Sequence, residues 1–323
     1  MAERAKLNAG MRLALTPRRW PDVAREALWM ARSRPVGPGA PTWPVDAAAL
    51  RGVKLRWPVA YEWAPARIWT EGLLGAIGRH VRVERSDIPQ PYQGIVRFEF
   101  AGALVALDYG DSPDLDAPCL DDVALYFKMQ HRRGGYDDER VIAGGFVPSR
   151  QELYPLLGYL RGVRDRRSFA YDVYGRFNID APSVAELRRR AVLTLRDQDR
   201  VGFYGGVGTV GFGRSLRDSA RSRVCLDLPG NSDMCFRLIE HLALGACIVG
   251  PRPGTELHVP LVDGEHVSWV ADDLSDLVDV CERYVRDDAA REAMGAAARS
   301  YFDRYLHRDQ LAGYYLDHLV RLR

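Results

Sequence analysis

The chain has 323 residues, 47% of them hydrophobic, which is enough for two domains with real cores and excludes general disorder. Its formal net charge is only +2, from 45 basic against 43 acidic residues, so the global balance points to no nucleic acid and no anionic membrane. Five dispersed cysteines with no CxxC pair read as reduced core residues rather than a zinc or disulfide framework, and a cytoplasmic location is expected.

Residues 1–50 form an N-terminal arm. Arg18, Arg19, Trp20, Val23, Ala24, Ala27, Leu28 and Trp29 are spaced as a short amphipathic helix, followed by a Pro/Gly-rich linker, PVGPGAPTWP. The arm is expected to pack on the body, with peripheral membrane contact through its Trp and Arg faces as the other reading. Residues 51–140 alternate short segments: a helix at 72–77, strands at 81–83, 94–100, 103–107 and 125–127. This is the rhythm of a small α/β domain. Asp108 and Asp111 fall where a strand meets a loop, and His131 opens the polar, Gly-rich stretch 131–145, an expected connection or cleft loop.

A second domain is expected over residues 141–300. Helices at 150–163 and 182–195 alternate with strands at 169–174 and 224–228, as in a doubly wound parallel sheet. The basic run Arg188 to Arg190 reads as a solvated helix face, and Arg164 to Arg167 form a second dense cluster. Three further helical patterns close the chain, and residues 301–323 should pack back towards the first domain.

The most informative stretch runs from Val224 to Gly250, VCLDLPGNSDMCFRLIEHLALGACIVG, which reads as strand, loop, helix, strand. Asn231, Ser232 and Asp233 are candidate N-caps for a helix starting near Ser232. On that helix Cys235, Leu238, Ile239 and Leu242 make an apolar face, and Asp233, Arg237, Glu240 and His241 a polar stripe. The free N–H groups at the helix start, beside Gly230, suit a phosphate, and Arg237 adds a charge. Glu240 suits the two vicinal hydroxyls of a ribose. An internal Arg237–Glu240 ion pair is the structural alternative. A rival motif, GGVGTVG, places Gly206, Gly208 and Gly211 as GxGxxG with Asp227 downstream. Read alone it suggests a dinucleotide-dependent oxidoreductase, but the strand before it is broken by glycine, the helix after it offers little apolar surface beyond Leu216 and Ala220, and the segment is short for a complete crossover.

The stretch GNSDMCFRLIEHLALGACIVG resembles the donor-binding segment of GT-B glycosyltransferases, in which an R-x-x-E-x-x-A-x-G helix precedes a buried strand. It is most similar to exostosin-like and group 1 glycosyltransferases, and the resemblance runs from about Phe169 to the C-terminus. It implies an α/β GT-B-like fold of two Rossmann-like domains with a cleft between them, the N-terminal one reduced. It further implies transfer of a sugar from a nucleoside diphosphate sugar, with UDP or GDP as carrier, to a small-molecule, glycan or peptide acceptor. No bound cofactor or metal is implied. By position Glu240 matches the ribose-binding acid, Arg237 the preceding arginine, and Gly230, Asn231, Ser232 and Asp233 the loop approaching the donor. Arg176, Ser149 and Arg150 lie where such folds contact diphosphate. Many retaining relatives carry a further glutamate where this chain has Ser232. An inverting enzyme would take its general base from Asp108, Asp111 or His131. A non-catalytic nucleotide- or glycan-binding module of the same fold is the alternative.

Overall fold

The computed structural model describes residues 20–323, so Arg18 and Arg19 lie outside the described residues. Two sheets organise it. The first holds β1 (Lys54–Pro58), β2 (Arg82–Ser86), β3 (Ile95–Phe100), β4 (Ala103–Asp108), β5 (Leu125–Lys128) and β6 (Val141–Ala143), in the order β2-β1-β3-β4-β5-β6. Three of its pairings are parallel, while β3 runs antiparallel to both neighbours. Helix α2 (Ala64–Ile77) and the short α3 (Ala117–Asp122) complete this half, which is reduced in helices rather than in strands. Val141, where a second domain is expected to begin, is the first residue of β6 and pairs with Tyr126 in the N-terminal sheet.

The second sheet is wholly parallel: β7 (Tyr171–Phe177), β8 (Phe203–Val207), β9 (Ser222–Leu226), β10 (Cys247–Pro251) and β11 (Ser268–Val270), ordered β11-β10-β9-β7-β8. Helices α4 (Leu153–Asp165), α5 (Pro182–Arg196), α6 (Phe212–Ala220), α7 (Phe236–Leu244), α8 (Leu277–Arg286) and α9 (Asp288–Tyr301) accompany it. Val224, Cys225 and Leu226 of β9 and Cys247, Ile248 and Val249 of β10 are fully buried, as strands covered on both faces require. The chain runs from β7 outwards to β8, then returns across β7 to β9. The order therefore reverses between β7 and β9, and a crevice opens beyond their carboxyl ends.

Two basic clusters each turn one arginine inwards, and for Arg188 this departs from the solvated face that the sequence predicts. Arg188 is buried, because α5 turns it to the same side as Val184, Ala191 and Leu195; Arg189 and Arg190 are exposed. Arg164 is likewise buried and donates to the carbonyls of Gly245 and Ser222, at 2.5 and 2.9 Å. Each guanidinium satisfies backbone acceptors that the sheet and helix ends leave open.

The described part of the arm, from Trp20 on, packs on the body. In α1 (Trp20–Arg32), Trp29 stacks on Tyr159 and Glu26 accepts from the Gly213 backbone N–H at the start of α6. Val23 and Leu28 stay exposed. The Pro/Gly stretch that follows is a strap rather than a free linker: Thr42 binds the Arg304 carbonyl and Gln310, and Trp43 packs on Tyr314. No helix of the described residues is long and apolar enough to cross a membrane.

After a π-helical turn at Phe302–Leu306, α10 (Arg308–Val320) returns to the N-terminal half and packs on α2. Its Tyr314 hydroxyl donates to Ala143 O at 2.7 Å, its Tyr315 hydroxyl to Gly144 O, and Phe127 packs on the Tyr315 ring. One apolar cluster consequently runs from Leu55 and Phe98 in the first half to Leu238 and Leu242 in the second.

Gly245 ends α7 in the left-handed conformation, φ 71°, and an added Cβ would lie 2.8 Å from the Gly295 carbonyl oxygen of α9. Strain and overlap act together there, so Gly245→Ala should lower stability by ~2 kcal/mol in urea denaturation.

Candidate functional site

The carboxyl ends of β7 and β9 meet around a buried carboxylate. Asp227 follows β9, is 8% exposed, and lies with Oδ1 3.3 Å from Arg237 Nε. Burial pushes its carboxyl up to about 6, against the pull of Arg237 and Arg188. The Arg237 guanidinium also donates to Leu228 O at 2.7 Å and stacks on the Phe177 ring, 4.7 Å from its centroid. Arg188 reaches from α5 to the Pro229 carbonyl (3.0 Å) and the Asn178 carbonyl, so one side chain ties the loop after β7 to the loop after β9.

Glu240 lies one turn beyond Arg237 on α7 and makes no ion pair with it, since Arg237 turns to Asp227 instead. Glu240 accepts from the Ser149 hydroxyl at 2.5 Å. Burial pushes its carboxyl up to about 7, with the Ser149 hydrogen bond and Arg237 opposing. A cavity of 220 Å³ opens beside it, lined by Arg150, Arg176, Gly208, Thr209 and Phe212 among others. Arg150 lies over the Phe212 ring, and the Nε of Arg176 is buried without a hydrogen-bond partner. Neither arginine forms an ion pair among the described residues. The structure thus brings Ser149, Arg150, Arg176 and Glu240 together: one carboxylate and two uncommitted guanidinium groups around one small cavity.

Gly230, Asn231, Ser232 and Arg237 line a different, larger cavity of 670 Å³ between the two halves. Here the expected helix start is corrected. The helix begins at Phe236 with Cys235 as N-cap, because Ser232 and Asp233 spend their side chains elsewhere. Ser232 Oγ accepts from Gln130 Nε2 at 2.7 Å and donates to Met234 O, whereas Asp233 accepts from the Gly254 N–H. The polar stripe is shorter than expected too. His241 is 2% exposed, faces Ser219 at 3.2 Å, and burial holds its imidazole well below the usual range.

The three candidate bases separate. Asp108 is withdrawn from the cleft: it is 3% exposed and bound by Lys128 Nζ (2.6 Å), the Tyr126 hydroxyl (2.5 Å) and the Gly110 N–H (2.6 Å). Three of its roughly four lone-pair sites are taken, and burial closes the residue off from a substrate. His131 is also withdrawn, 8% exposed, with Nδ1 3.8 Å from Glu256; burial lowers its pKa. Asp111 is exposed and lines the larger cavity.

The Gly-rich motif is a complete crossover from β8 through α6 to β9, contrary to the expectation that it is too short. It nonetheless follows β8, the edge strand, whereas a dinucleotide fingerprint follows the strand at the switch point. Gly206 and Gly208 take φ of 126° and 106°, and the loop they form borders the Glu240 cavity. Among the described residues no group of acids, histidines or cysteines could hold a metal ion.

Sequence reasoning took Arg188 for a solvated residue and passed over Trp63, Trp69 and Tyr109. For Arg188 the signal was present in its 3.6-residue phase with Val184 and Ala191. Trp63 and Trp69 share the start of α2, whereas Tyr109 follows β4, and the row forms only in the folded cleft.

Between the ordinary value of 4.5 and about 7, Glu240 holds a proton in the folded chain that the unfolded chain releases. Its contribution to stability is therefore full below pH 4.5 and is lost as pH rises through 7. Urea denaturation at pH 5 and pH 8 should show a smaller fall in stability for Glu240→Gln than for the wild type.

Residues 189–317 match the family model described as glycosyl transferase-like, a span that runs from the middle of α5 into α10. No curated protein matches the chain. The strands β8 to β11, the Arg237–Glu240 helix and the closing helices of this chain are thus the part that is similar to glycosyl transferase-like proteins.

Proposed function

We propose that the chain transfers a sugar from a nucleoside diphosphate sugar, carried on UDP or GDP, to an acceptor hydroxyl or amine in the interdomain cleft. The observation that carries this reading is Glu240, held by Ser149 beside the free guanidinium groups of Arg150 and Arg176. Two ribose hydroxyls donating to Glu240 would replace the solvent it has lost, and the arginines would offset the diphosphate. The charge that develops on the leaving diphosphate needs such fixed donors, and they suffice without a resident metal. Asn178 lines both cavities, and Arg237 stands between them, so the sugar would extend from the Glu240 cavity into the larger cleft. There Asp111 is the general-base candidate among the three, because Asp108 and His131 are enclosed.

The non-catalytic reading shares the nucleotide site and differs only in turnover. Incubation with a panel of sugar nucleotides, followed by mass spectrometry, distinguishes them: transfer or donor hydrolysis that is lost in Glu240→Ala supports the enzyme.

Isothermal titration with UDP, GDP and dTDP should show binding of at least one, unaffected by EDTA. Glu240→Ala should weaken it about 10- to 100-fold, the loss expected for hydrogen bonds to a charged group. No binding by any of the three would overturn the assignment. Because ionised Glu240 is the better acceptor and its carboxyl titrates near 7, affinity should rise from pH 6 to pH 8 in the wild type. Glu240→Gln should flatten that rise.

A further inference from the structure

Helix α1 sits on the second half with its sides reversed from the usual arrangement. A surface helix normally lays its apolar stripe on the core. In α1 the residues Trp20, Val23, Ala24, Ala27, Leu28 and Ala31 repeat at helical spacing and fall within an arc of about 140°, yet all six are exposed. Other positions meet the body. Glu26 accepts from the Gly213 N–H at 2.9 Å, Trp29 stacks on Tyr159 at 5.5 Å with Arg217 over its ring, and Met30 joins the core. An added Cβ at Gly213 would lie 2.5 Å from Glu26 Cγ, so a glycine there leaves room for this approach. These contacts set the rotation of the helix and hold its stripe towards solvent.

The charges are sorted in the same sense. The acids of α1, Asp22 and Glu26, are half-buried, whereas Arg25 and Arg32 of the helix and Arg34 just after it are exposed. Arg25 pairs with Asp22 at 3.3 Å; Arg32 and Arg34 form no ion pair among the described residues. By sequence, residues 1–19 add five basic residues against one acid, a local excess that the near-neutral whole chain conceals. An apolar stripe edged with arginines complements a surface that is both oily and negative, and a helix lying in such an interface gains from both terms. A second copy of the chain fits less well, because its stripe would bring the same arginines with it. The stripe, about 17 Å long and about 10 Å wide, also offers only about 200 Å², against about 800 Å² per partner in a stable pair.

We infer that α1 is a docking surface for an anionic lipid membrane, with Val23 and Leu28 entering the headgroup boundary and Arg25, Arg32 and Arg34 facing the lipid charges. The inference does not rest on the reading of the Glu240 cavity, since docking and nucleotide binding are measured separately.

Co-sedimentation of the full chain with vesicles of phosphatidylcholine, with and without phosphatidylglycerol, tests it. Binding should be clear on the anionic vesicles, weak on the neutral ones, and reduced by added salt. The double variant Val23→Glu, Leu28→Glu should lower the partition coefficient about tenfold or more, and Arg32→Ala about fivefold, with the thermal midpoint and UDP or GDP binding unchanged in both. Absence of binding to the anionic vesicles, equal binding to both kinds, or binding insensitive to the double variant would overturn the inference. So would a dimer in light scattering that the double variant abolishes, because the stripe would then belong to a second copy. A chain that binds anionic vesicles in this way but no nucleotide would leave the docking surface standing and sink the proposed function instead.

Discussion

A carboxylate buried at the end of a parallel strand must be answered, and Asp227 is answered by Arg237 at 3.3 Å and, at longer range, by Arg188. Removing one partner of such a pair leaves an uncompensated charge, which is far costlier than the pair itself is stabilising. The requirement propagates. Arg237 must come from the first turn of α7, which fixes the phase of that helix and turns Glu240, one turn on, towards Ser149. Arg188 must reach both switch-point loops, which fixes the height of α5 against the sheet. The two cavities thus diverge from one ionic floor.

The halves are joined across the cleft by one fully used side chain. Gln130 is 2% exposed; its amide donates to Ser232 Oγ and Met234 O and accepts from Thr255 Oγ1 and, at 3.3 Å, the Met234 N–H. An amide with every site engaged is strongly oriented. It holds the Gly230–Asp233 loop in an open turn and thereby delays the start of α7 to Phe236.

That network explains where sequence reasoning succeeded and where it failed. The strand, loop, helix, strand frame of Val224 to Gly250 was legible because local patterns carry it: an apolar run, a Pro-Gly break, helical phase and a terminating glycine. Glu240, Arg176, Ser149 and Arg150 could be named as neighbours only through a family resemblance, since three chain segments supply them. Ser232 and Asp233 read locally as helix caps, but long-range partners, Gln130 and Gly254, outcompete the cap. Asp108 read as a free loop acid because its Lys128 partner lies on the neighbouring strand, β5, invisible to spacing along one segment. His241 fell on the polar side of a helical wheel, yet α7 is covered on nearly every face and leaves that position no solvent.

The return of α10 has a consequence for how such a chain can be rearranged. Its tyrosine hydroxyls close on the backbone between β6 and the second half, and its body shares a core with α2. A cut near residue 144 therefore separates no two self-sufficient pieces: the first would lose the helix that covers α2, and the second would carry that helix with an uncovered apolar face. Exchange of the first half between relatives would have to move residues 308–320 together with the first sheet, as a discontinuous unit.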